Sequence, residues 1–168
     1  MVEGSCCFCG WRQPPAGGWG LPEGALEGEV LGLAAAGVTR FLCGGTPGFD
    51  TLAARAVLRA RAVRPEVRLV LVLPCGGITW GWRPGEVEAL REVAAGADLG
   101  VELAERYFPG CIQRQGRYLV EHSGSCLCWF PPGGRGGWGR QMAAYAQSRG
   151  LTMLEPGKGA APDGKTAP

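Results

Sequence analysis

The chain has 168 residues, 46% hydrophobic and 19% charged, about one domain's worth of sequence with enough apolar surface for a packed core. That balance excludes a chain held open by its own charge, and a net charge of +2 gives no bulk pull toward nucleic acid, leaving only a local basic patch. No apolar run approaches the roughly 18 residues of a membrane span and the start lacks the pattern of a leader, so a cytoplasmic protein without a membrane partner is expected.

Short apolar runs alternate with longer amphipathic stretches, the order of an α/β protein with a mostly parallel sheet. Strands are predicted at Ser5–Cys9, Val38–Cys43, Val67–Leu73, Asp98–Leu103, Ser125–Phe130 and Leu151–Glu155. Five helices separate them. Pro22-Glu23 opens the first and Gly37 closes it; the second runs from Phe49 to Val63, ended by Arg64-Pro65. The third follows Pro84 with Val87, Leu90 and Val93 on one stripe, the fourth spans Cys111–Glu121, and the fifth spans Gly139–Arg149. Right-handed crossovers and short loops make this a three-layer, Rossmann-like sandwich around a sheet of about six strands, one domain over residues 1–155. From residue 156 to 168 the Gly, Ala, Pro and Lys composition cannot bury a face, which predicts a disordered tail. In such sheets ligands bind beyond the carboxyl ends of the strands, near the switch in strand order.

Of the 17 basic residues only Lys158 and Lys165 are lysines, so the folded part carries its positive charge on arginine, which suits bidentate recognition of phosphate or carboxylate. Codon bias gives the same composition. Among the eight cysteines, Cys6 and Cys9 lie three apart on a strand and point to opposite faces, while Cys126 and Cys128 share a face and serve as small hydrophobes. No metal site is expected.

The strongest local signal is Cys43-Gly44-Gly45-Thr46-Pro47-Gly48-Phe49-Asp50-Thr51, leaving the second strand and entering the second helix. Glycines there let backbone N–H groups approach a phosphate at a helix N-terminus; the same residues also read as a tight turn with Asp50 facing the helix dipole. A second loop, Pro131-Pro132-Gly133-Gly134-Arg135-Gly136-Gly137, follows the fifth strand, on the same sheet edge. On the fourth helix Arg114, Arg117 and Glu121 share a face that holds either an anion or a solvated ion pair. His122, the single histidine, sits at a helix end and reads as a cap. Cys9-Gly10-Trp11-Arg12 brings an aromatic and a cation to the carboxyl edge, and Trp80 and Trp82 are placed to wall the same cleft.

Taken together, Cys6-Cys7-Phe8-x-Gly10-x-Arg12, Gly44-Gly45-x-x-Gly48-x-Asp50-Thr51, Leu71-Val72-Leu73-Pro74-Cys75, Pro109-Gly110-Cys111, Arg117-Tyr118-Leu119-Val120-Glu121-His122-Ser123 and the late Gly-Gly loop resemble the YpsA-like family. This is a branch of the SLOG superfamily, named for the Smf/DprA and LOG proteins. The resemblance covers residues 5–155 and implies a Rossmann-like domain that binds a nucleotide-derived ligand, such as ADP-ribose or another NAD-related molecule. It implies that the two glycine loops are phosphate-binding elements, and the candidate ligand- or phosphate-binding residues are then Gly10, Arg12, Gly44, Gly45, Thr46, Gly48, Asp50, Arg114, Arg117, Gly133, Gly134, Gly136 and Gly137, with the arginines supplying charge. The chain departs from the family where Thr-Gly-His-Arg becomes Cys9-Gly10-Trp11-Arg12 and Arg-Asn-Arg-Tyr becomes Gln115-Gly116-Arg117-Tyr118. Trp138 also follows Gly136-Gly137 where the family has Thr. The acidic residue of the LOG phosphoribohydrolase motif is replaced by Arg140.

The leading expectation is therefore a domain that binds or senses a small nucleotide-type ligand, with no cofactor otherwise implied and self-association left open. A nucleotide hydrolase with Asp50 or Glu121 as its acid or base is the second reading. Single-stranded DNA binding is the third, and low net charge with no lysine in the fold argues against it.

Overall fold

Alternation along the first strand sets up both cores of the molecule. In β1 (Ser5–Gly10), Cys6 and Phe8 point into one apolar cluster and Cys7 and Cys9 into another on the opposite face, as a period of two requires. The computed structural model describes residues 2–22, 24–132 and 137–158.

Five further strands follow, each after a helix. They are β2 (Arg40–Cys43), β3 (Arg68–Leu73), β4 (Leu99–Glu102), β5 (Ser125–Trp129) and β6 (Thr152–Leu154). The intervening helices are α1 (Ala25–Ala35), α2 (Phe49–Val63), α3 (Pro84–Gly96), α4 (Cys111–Glu121) and α5 (Trp138–Ser148). All strand pairs are parallel, in the order β4-β3-β2-β1-β5-β6. The fold class is thus the α/β, Rossmann-like arrangement expected from the sequence.

Helices α1, α2 and α3 cover one face of the sheet, α4 and α5 the other. On the first face α2 lies closest to the strands because Ala53, Ala54, Ala56 and Ala60 are fully buried and leave little between backbone and sheet. The second face is built from thiols. Cys7 and Cys9 of β1 stand in register with Cys126 and Cys128 of β5, beneath Leu119, Val120, Met142 and Ala146. All eight cysteines are free and buried. Among the described residues no group of His, Cys, Asp and Glu is placed to hold a metal, and no helix is long and apolar enough to cross a membrane.

Five strands are shorter than the expected runs, since their outermost residues leave the ladder, whereas β1 runs one residue past Cys9 to Gly10, which still pairs with Trp129 of β5. The first helix begins at Ala25 rather than Pro22-Glu23. Pro22 instead accepts a turn hydrogen bond from the Ala25 N–H, and Gly24 enters the helix at positive φ; Glu23 lies outside the described residues. The fifth begins at Trp138, one residue before the expected Gly139. In the expected tail, Pro156 is buried and the Gly157 N–H reaches Glu29, so the chain stays packed to that point; residues 159–168 lie outside the described set.

Three arginines of α2 tie that helix to its neighbours. Arg55 pairs with Glu92 of α3, Arg59 with Glu27 of α1, and Arg61 with Asp98 before β4. Each such exposed or half-exposed pair contributes at most about 1 kcal/mol. They account for basic residues without invoking a ligand.

Candidate functional site

Strand order reverses at β1: the chain steps outward through β2, β3 and β4, then returns over the other face to β5 on β1's far side. The loops after β1 and β5 therefore diverge and leave a crevice at the carboxyl edge. A cavity of about 450 Å³ lies there, within the usual range for small-molecule sites. Its walls come from the end of β1 (Gly10, Trp11, Arg12), the β2–α2 loop (Gly44, Thr46, Asp50), α4 (Ile112, Gln115, Gly116, Leu119) and the start of α5 (Gly137, Trp138, Met142).

The β2–α2 loop is braced from within. The N–H and Oγ1 of Thr46 both donate to Oδ2 of Asp50, at 3.2 and 2.7 Å. The Phe49 N–H, first in α2, goes to the carbonyl of Trp11 at 2.9 Å. Two of the loop's backbone N–H donors and the Thr46 hydroxyl are thus already engaged by the protein. Gly48 has φ +95, and a β-carbon there would fall 2.2 Å from the Arg12 carbonyl oxygen, so only glycine lets the two loops touch.

Asp50 is 9% exposed. Burial pushes its carboxyl up to about 6, against the lowering effect of the two bonds from Thr46. Burial, and then the nearby Asp50 charge, likewise push the Cys43 thiol up.

Opposite Asp50, Gln115 reaches from α4 across the strand ends. Its Nε2 donates to the carbonyls of Gly44 at 2.7 Å and Val72 at 2.8 Å, fixing the helix against β2 and β3. The next residue, Gly116, receives the indole of Trp138. Beneath them Cys9 donates its thiol hydrogen to the Gly139 carbonyl at 2.7 Å, joining β1 to the first turn of α5. Arg12 stands at the rim, its guanidinium 5.3 Å from the centroid of the Trp82 ring.

Of the residues singled out from the sequence, Gly10, Arg12, Gly44, Thr46, Asp50 and Gly137 line the cavity. Gly45 is turned toward Leu71, Leu73 and Leu90, and Gly48 lines a separate hollow of about 220 Å³ with Trp19 and Arg55. Arg114 and Arg117 are exposed on the outer face of α4 and do not line the cavity. Glu121 is also exposed, accepting from the Tyr145 hydroxyl at 2.9 Å. The ion pair expected between Arg117 and Glu121 is absent among the described residues. His122 caps α4, its Nδ1 2.8 Å from the Tyr118 carbonyl oxygen. Trp80 is 92% exposed and, like Trp82, lies off the cavity wall. Gly133, Gly134 and Gly136 lie outside the described residues.

Sequence reasoning missed Gln115, Gly116 and Trp138. The signal was available: Ile112, Gln115, Gly116 and Leu119 form the stripe of α4 that faces inward, opposite the charged stripe.

No family model matches the chain, and no curated protein matches it in sequence. Among solved structures it is similar to DNA processing protein A from Helicobacter pylori, a protein described by its single-stranded DNA binding mode, with a TM-score of 0.56 at 14% identity. The match covers 90% of this chain and 64% of that one, so the chain spans less than two thirds of its neighbour's length. At that identity the likeness is one of fold: a six-stranded parallel sheet flanked by five helices.

Proposed function

We propose that the chain is a YpsA-like member of the SLOG superfamily whose β1/β5 cleft binds a small nucleotide-derived ligand of the ADP-ribose or NAD-related class. The observation that carries this reading is the cavity at the switch in strand order, with a buried carboxylate on its floor, Arg12 at its rim and the first turn of α5 opening into it. Such a crevice suits a ligand with a polar sugar, an aromatic base and an anionic end, because its walls supply hydrogen-bonding, apolar and cationic groups together. Thermal-shift and calorimetric titration with AMP, NAD and ADP-ribose test it, with products followed by chromatography. A ligand at about a hundred times its dissociation constant raises stability by roughly 2.7 kcal/mol. No shift with any of them sinks the reading.

Two other readings have an observation each. The Asp50 carboxyl, pushed up to about 6, can exchange a proton near neutrality, as a hydrolase needs; product formation lost in Asp50→Asn supports that reading. The fold neighbour's single-stranded DNA binding, together with Trp80 at 92% and Tyr107 at 68% exposure on loops at the same sheet edge, favours stacking on nucleic acid. Its signature is affinity that falls steeply with salt.

A further inference from the structure

The floor of the cleft offers hydrogen-bond acceptors, and its charge has the wrong sign for a phosphate. Gly44 lies at its centre: a β-carbon there would stand 2.9 Å from Oδ2 of Asp50 and 3.2 Å from Nε2 of Gln115, so carboxylate and amide flank one backbone position. The partners of the Gln115 amide are both carbonyl oxygens, which can only accept. Its nitrogen must therefore face them, with both hydrogens spent, and Oε1 is turned the other way. Among the described residues nothing donates to Oε1. Asp50 spends Oδ2 on Thr46 and keeps Oδ1. No arginine or lysine among the described residues pairs with it.

Both groups are deeply placed, Gln115 at 3% and Asp50 at 9% exposure, yet both line the cavity. A buried carboxylate without a cation is costly, and the pair of bonds from Thr46 offsets only part of that cost. What these two acceptors lack is donors; the buried Trp11 Nε1–H on the same wall is a donor that itself has no partner among the described residues.

Resting on the nucleotide reading above, we propose that Asp50 and Gln115 accept hydrogen bonds from the neighbouring 2′- and 3′-hydroxyls of a ribose. The phosphate then lies away from this floor, toward Arg12 and the first turn of α5. Two adjacent hydroxyls supply two donors side by side, which matches a carboxylate and an amide side chain that flank one backbone position and each keep an oxygen no described residue donates to. A phosphate seated on the β2–α2 loop would instead meet the Asp50 charge directly.

The full chain is titrated calorimetrically with AMP, NAD and ADP-ribose and with 2′,3′-dideoxy-AMP. The dideoxy compound is expected to bind at least about tenfold more weakly than AMP, the loss of hydrogen bonds to a charged group. Asp50→Asn, checked for its fold by circular dichroism, is expected to weaken AMP by a similar factor and to leave dideoxy-AMP within about twofold. Equal affinity for AMP and dideoxy-AMP overturns the inference while leaving the nucleotide reading intact. So does an Asp50→Asn chain that binds AMP more tightly, the result expected if the carboxylate were repelling a phosphate. If none of the ribose compounds binds, the nucleotide reading fails and this inference falls with it.

Discussion

The indole of Trp138 lies so close over Gly116 that a β-carbon on that glycine would stand 2.6 Å from Cζ2. The contact joins the first residue of α5 to the middle of α4 and forms the apolar side of the cleft. Gly116→Ala must therefore push the indole out of place. A cost of about 1–3 kcal/mol is expected, the usual range for overpacking. The same substitution in a Trp138→Ala background should cost almost nothing beyond that change itself, so a double-mutant cycle on urea unfolding measures the contact directly. Equal costs in both backgrounds would show that the crowding at residue 116 does not come from the indole.

Gln115→Met removes the amide that serves the carbonyls of Gly44 and Val72 while keeping the side chain's length. Two buried acceptors then lose their donor, at about 1–3 kcal/mol each if water cannot enter. The expected outcome is a lower urea midpoint with an unchanged m-value. Because Gln115 is 3% exposed, the loss should be far larger than for Gln113→Met on the exposed face of the same helix.

The positions of most elements were legible in the sequence because their signals are local. Proline at 84, Arg64-Pro65 and the glycines at 96 and 150 mark helix boundaries whatever the rest of the chain does. The opening of α1 was not, since Pro22 could begin a helix or a turn, and the turn that won depends on Gly24 at positive φ. Within the site, Asp50 and Gly44 were legible as part of a glycine loop. Gln115 was hidden behind Arg114 and Arg117, which are more conspicuous but face solvent. Deciding between them requires knowing which side of α4 meets the sheet, and that follows from where the return crossover places β5, a relation between distant parts of the chain.

Positive φ alone does not explain Gly48. Both Gly17, at φ +91, and Gly48, at φ +95, sit in backbone conformations that side chains rarely adopt. A β-carbon at Gly17 would meet nothing within 4 Å, whereas at Gly48 it would collide with the Arg12 and Trp11 carbonyls. Gly17→Ala should cost about 1 kcal/mol, the conformational penalty alone. Gly48→Ala should cost clearly more, above about 2 kcal/mol, and weaken ligand binding through displacement of Arg12. Thermal unfolding of the two variants side by side separates the contributions; equal costs would show that the loops part freely.

Asp50 should make the fold more stable in weak acid than at neutral pH. Its carboxyl is raised from the ordinary 3.8 to about 6, so the folded chain holds this proton more tightly than the unfolded one. Below about pH 4 both states carry the proton and the group contributes nothing. Between there and about pH 6 the unfolded chain releases it first, and stability falls as pH rises. Above that window the full penalty is in place, on the order of 3 kcal/mol for a rise of this size. Asn at position 50 can still accept from the Thr46 N–H and hydroxyl, but carries no charge to bury. Asp50→Asn and the native chain should therefore be nearly equally stable at pH 4, and the variant should gain by about 1–3 kcal/mol at pH 8. Other carboxylates titrate alike in both chains, so the difference between their urea-unfolding free energies isolates this group. A constant difference across the range would mean that the Asp50 charge is compensated in the fold. A gain at pH 8 accompanied by weaker binding of AMP would show a carboxylate that costs stability and serves the ligand.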